Sequence, residues 1–177
     1  VIALEDVGWL FINGNYIAEL DLSRGPETGY AKVIGALWAD HAYAGETTGF
    51  SGFTVRSLQT VYGPEDGAID SISGDGEKMS AHQSTAWLSD TIVEATFANP
   101  YSGDWSPGFV LRNSAYDTFH GIFISNLGHW YHYFGSGTVG PRKLVQSEYS
   151  SHITTGSLGS NSLRVIALGD DGDALLE

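Results

Sequence analysis

The chain has 177 residues, enough for one domain with a proper core. Its 8 Lys and Arg face 21 Asp and Glu, a formal charge of −13, so the surface repels nucleic-acid phosphates and anionic lipid. There is no cysteine, which excludes disulfides and thiolate metal sites, and no apolar run approaches the ~20 residues of a membrane-spanning helix.

The 23 glycines and the scarcity of apolar spacings of three and four argue against long helices. Short alternating runs between turn clusters predict strands throughout. Residues 8–12 and 16–22 form the clearest hairpin. Its turn, Asn13-Gly14, accepts the positive φ angles of type I′. A loop with Gly25-Pro26 covers 23–29. A largely buried strand follows at 30–38, then a glycine-containing excursion at 39–50. Phe53, Val55 and, less regularly, Leu58 close that half. Residues 59–76, with Gly63-Pro64-Glu65-Asp66-Gly67 and Gly74-Asp75-Gly76, read as a seam. Beyond it strands are predicted at 78–86, 91–98, 108–113, 119–125, 130–134, 144–148 and 162–168. Strand starts about 8–14 residues apart leave no room for helical crossovers, so pairing is antiparallel. The expected architecture is an all-β sandwich of two packed sheets with five to seven strands each.

The two ends of the chain repeat each other. Residues 165–177 read VIALGDDGDALLE and residues 1–13 read VIALEDVGWLFIN, with six of thirteen positions identical at an offset of 164. Both copies hold an apolar run, an acidic Gly turn and a second run. The expected organisation is one domain over 1–177, built from 1–58 as the back half of a unit and 61–164 as its front half. Residues 165–177 then duplicate the strand at 1–13 and are free to be exchanged with a neighbour. A circular permutation and a slice through tandem repeats both fit. With Val rather than Met at position 1 and no signal-peptide pattern, a processed, trimmed or partial chain is expected.

The most aromatic segment is 119–134. Pairing it as a hairpin about Leu127 places His120, Ile122, Ile124, Trp130, His132 and Phe134 on one side. Phe123, Tyr131 and Tyr133 fall on the other. The preceding strand offers Arg112 and Val110 on one face, with Phe109 and Leu111 opposite. Arg112, His120, Trp130 and His132 on a shared concave face make a candidate sugar-binding floor. Aromatic faces stack on pyranose rings, while Arg and His donate to hydroxyls and carboxylates. The competing reading makes Trp130 and Phe134 core, with the histidines satisfied at its rim.

These strands resemble the concanavalin A-like, laminin G-like superfamily of lectin and glucanase jelly rolls. The residues carrying the resemblance are Thr91-Ile92-Val93-Glu94-Ala95-Thr96-Phe97, Gly108-Phe109-Val110-Leu111-Arg112-Asn113, the 119–134 hairpin, Ser162-Leu163-Arg164-Val165 and the hairpin around Asn13-Gly14. More narrowly, the chain is similar to bacterial laminin G-like modules and to the 3-keto-disaccharide hydrolase-like group. In the superfamily the Asn-Gly hairpin comes last; here it comes first, as the 164-residue offset independently suggests. The resemblance implies a jelly roll, a carbohydrate or other surface ligand, and an extracellular or cell-surface setting in a bacterium.

Catalytic signatures are weak. Laminarinase-type glucanases carry Glu-x-Asp-x-x-Glu on one strand. Here Glu19 and Asp21 begin that pattern, but Arg24 stands where the third carboxylate belongs. An amphipathic strand with Leu20 and Leu22 inward explains the pair more simply. His41, His82 and His152 are scattered. Asp170, Asp171 and Asp173 group hard oxygen donors that suit calcium, although an acidic hairpin turn accounts for them as well. The sequence therefore favours a non-catalytic recognition module. A structural subunit joined head-to-tail through residues 165–177, and a glycoside-active enzyme, are the alternatives.

Overall fold

The structure is a computed structural model describing residues 7–24, 29–37, 47–56, 60–70, 78–88, 91–100, 104–113, 118–136 and 142–168. It is an all-β sandwich of two six-stranded sheets in which every pairing is antiparallel. The first sheet has the order β2 (Asn15–Asp21), β1 (Val7–Ile12), β12 (Ser160–Leu168), β7 (Thr91–Ala98), β4 (Thr47–Arg56) and β5 (Thr60–Asp70). The second has the order β11 (Arg142–Tyr149), β10 (His129–Ser136), β9 (Thr118–Ile124), β8 (Ser106–Asn113), β3 (Gly29–Leu37) and β6 (Lys78–Leu88).

Alternation along the strands builds the core between the sheets. Leu10, Ile12, Leu20, Phe53, Val93, Phe97, Leu163 and Val165 from the first sheet meet Val33, Phe109, Leu111, Ile122, Ile124 and Trp130 from the second. Phe109 is the central aromatic contact, 6.4 Å from the Phe53 ring centroid and 5.8 Å from that of Phe97. Strands β8 and β9 are buried on both faces, because Ile34, Val110, Phe119 and Phe123 form a second cluster with Tyr133 packed against it. That is why these two segments read as nearly continuous apolar runs instead of alternating ones.

The Asn13-Gly14 turn has φ angles of 51° and 80°, as a type I′ turn requires. The expected seam at 59–76 is different: most of it is β5, an edge strand of the first sheet. Its Gly-Pro-Glu-Asp-Gly run is tolerated there because an edge strand need not donate every N–H, and its pairing with β4 shifts register three times.

Strand β1 lies beside the end of β12, pairing Val7 with Leu168, Gly8 with Ala167, Trp9 with Ile166 and Leu10 with Val165. Under the 164-residue offset, Leu168 corresponds to Leu4. By that correspondence the register between β1 and β12 is the one that a two-residue connection between two such strands would give. Residues 165–168 stay in their own sheet, between β1 and β7. The opening residues 1–6 and the closing residues 169–177 lie outside the described residues.

Candidate functional site

Arg112, His120, Trp130 and His132 are all buried inside the sandwich. Alternation from Val110 would turn Arg112 outward. Its φ of 51° breaks that alternation, and its Nη1 donates to the Leu22 carbonyl at 3.2 Å. His120 Nε2 bonds the Arg24 carbonyl, and His120 Nδ1 lies 3.0 Å from His132 Nε2. Arg112 and His120 thus grip the chain leaving β2 from the opposite sheet. Trp130 sits one step along from His132 on the same strand face, within the main core.

The tautomers follow from the partners. A carbonyl only accepts, so His120 Nε2 carries a hydrogen, and when that ring is neutral its Nδ1 accepts from His132 Nε2. His132 Nδ1 is then a bare acceptor, buried and without a hydrogen-bond partner. Burial, with His120 beside it, pushes the His132 pKa down to about 3, while Asp21 opposes the shift. Asp21 is held below the usual carboxylate range, first by the Ser23 hydroxyl and then by the Ser23 N–H. A ligand reaching these four residues has to pass between the sheets.

The other sequence candidates are dispersed. Glu19 and Asp21 are exposed on β2, with Leu20 and Leu22 buried between and beyond them. His41, Asp170, Asp171 and Asp173 lie outside the described residues, among which no group of three His, Asp or Glu is arranged to hold a metal. His152 is exposed, and its carbonyl accepts from Asn13 Nδ2 at 2.7 Å.

His82 has a partnership that its sequence position did not suggest. Its Nε2 is 2.6 Å from Glu65 Oε2, to which the Tyr62 hydroxyl also donates at 2.5 Å. Tyr62 and Glu65 belong to β5 and His82 to β6, so this trio clasps the edges of the two sheets. Burial, and then Glu65, push the Tyr62 pKa up to about 12 and keep the phenol a donor. Seventeen residues separate Glu65 from His82, and no periodicity links them.

A trough of about 480 Å³ lies on the outer face of the first sheet. Two cross-strand rows make it. Phe11 is opposite Arg164, which is opposite Glu94; Ser162 is opposite Thr96, which is opposite Ser51. Arg164 approaches Glu94 Oε2 through Nε at 2.8 Å and Nη2 at 2.7 Å, while the Thr96 and Ser162 hydroxyls meet at 2.7 Å. Its rim is low because Gly14 and Gly52, at φ +80° and +64°, leave open space where a side chain would stand. Glu94 and Arg164 belong to the segments that carried the family resemblance. Their meeting in one row is set by β7–β12 register, which residue spacing does not show.

Compared with protein-family models, curated proteins and solved structures, the chain matches none.

Proposed function

We propose that this domain is a non-catalytic recognition module at the cell surface that binds carbohydrate in the outer trough of the first sheet. The supporting observation is the Arg164–Glu94 pair with Phe11 in its own cross-strand row and the Ser162–Thr96 hydroxyls in the next row of the same trough. A sugar offers an apolar ring face and a rim of hydroxyls that both donate and accept. Phe11 suits the first, and the fixed guanidinium, carboxylate and hydroxyls suit the second. The hollow is also within the ~300–1,000 Å³ usual for ligand sites. Glycan-array screening followed by calorimetry tests the reading. Arg164→Ala and Phe11→Ala should each weaken binding about tenfold, or ~1.4 kcal/mol, with little change in melting temperature. Silence on the array, or unchanged affinity in both variants, overturns it.

The register of β1 against β12 favours a second reading, a structural subunit joined head-to-tail by strand exchange. In that reading the segment after Leu168 is a rival for the β1 slot. Gly172, Ala174 and Leu176 correspond by the offset to the inward residues Gly8, Leu10 and Ile12. Donation is confined to 169–177, because residues 165–168 are paired within their own sheet.

A further inference from the structure

We infer that the open side of the sandwich, opposite the Tyr62–Glu65–His82 clasp, is a second ligand site for one uncharged saccharide unit. The edge strands on that side, β2 and β11, do not pair with each other. A cleft of about 290 Å³ opens between them, lined by Tyr16, Trp130, Glu148, Tyr149 and His152 among others. Tyr16 and Tyr149, 57% and 62% exposed, are the two tyrosines among the described residues with large exposed surfaces, and both flank this cleft.

These rings are held in place. Tyr16 meets the Phe11 ring edge-to-face at 5.8 Å, and Tyr149 meets the His129 ring in the same way at 5.8 Å. Gly128 lets Tyr149 lie close, since a Cβ there would come within 2.8 Å of the tyrosine ring. The backbone of the far wall is also tied down, with Ser150 N bonded to the Gly128 carbonyl at 2.9 Å and the His152 carbonyl to Asn13 Nδ2 at 2.7 Å. Fixed aromatic rings lose little freedom when a ligand arrives.

A separate observation comes from Trp130. Its side chain is fully buried, yet Nε1 has no hydrogen-bond partner, which is uncommon for a buried indole. Because Trp130 lines the cleft, its unmatched indole N–H is a donor left over for a ligand oxygen. Glu148 on the wall, and a net charge of −13, disfavour anions. Two tyrosines with Ser150 and Ser151 suit a ring with an apolar face and a hydroxyl rim.

This site does not depend on the trough reading, and the test separates them. The ¹⁵N-labelled protein is titrated with neutral gluco-, galacto-, manno- and xylo-oligosaccharides while the Trp130 indole N–H resonance is followed. A saturable shift of that resonance is expected, weakened at least about tenfold in Tyr149→Ala and unchanged in Arg164→Ala. Tyr149 is exposed, so its truncation should leave the fold intact. The inference is overturned if no sugar at about 10 mM moves the resonance, or if Tyr149→Ala binds like wild type. Binding lost only in Arg164→Ala also overturns it, while leaving the trough reading standing.

Discussion

At the scale of single residues, the burial of His132 beside His120 makes the domain acid-sensitive. The native pKa of His132 is about 3, against an ordinary value of 6.5. As pH falls below about 6.5 the unfolded chain takes up this proton and the native chain refuses it, so the native state loses stability down to about pH 3. The loss is at most about 1.4 kcal/mol per pH unit. Asp21 and Glu65, both held below their ordinary values, stay ionised until lower pH, so the upper part of the window belongs to the histidine. Urea unfolding at pH 7, 6 and 5 should show a falling free energy, flattened in His132→Phe. A wild-type value constant across that range would refute a buried, neutral His132. Both histidines were picked out in the sequence as sharing a sheet face, and the hairpin period sufficed for that. Their burial, and the capture of Arg112 by a positive φ, depend on the facing sheet.

At the scale of elements, two close fits hold strands and loops in place. Strand β8 passes so near β9 that a Cβ on Gly108 would collide with the Ile122 carbonyl. Gly108→Ala is expected to cost ~4 kcal/mol or more, because a backbone atom cannot give way as a side chain can. Expression as insoluble protein, or a melting temperature tens of degrees lower, would register it. The segment between β11 and β12 is pinned through Asn161, whose amide donates to Asn99 Oδ1 at 2.9 Å and the Thr154 carbonyl at 3.0 Å. Its Oδ1 accepts from Thr154 N at 2.8 Å and Asn13 Nδ2 at 3.2 Å. Asn161→Ala leaves several of these groups unmatched and should destabilise by about 2–4 kcal/mol, measured by chemical denaturation. A change below about 0.5 kcal/mol would show that the network is dispensable.

For the whole molecule, the two sides of the sandwich differ. One is closed by the Tyr62–Glu65–His82 clasp, and the other is open between β2 and β11. The strand-exchange reading makes a prediction at this scale. Deleting residues 169–177 should leave a folded monomer and abolish any concentration-dependent association seen by analytical ultracentrifugation. Deleting 165–177 is the wrong experiment, because Val165 and Ala167 are core residues and the fold would go with them. A chain ending at Leu168 that still associates would refute donation by the tail.

The sequence by itself determined most of the strands, the Asn13-Gly14 hairpin, the antiparallel sandwich and much of the inward set of aliphatic residues. Each of these follows from a local rule of turn chemistry or a period of two. It could not decide that Glu94 meets Arg164, that Glu65 meets His82, or that a Gly-Pro-rich seam serves as an edge strand. Those outcomes depend on which strands become neighbours and in what register. Residues 70 positions apart in the chain become opposite one another only after the whole sheet has assembled.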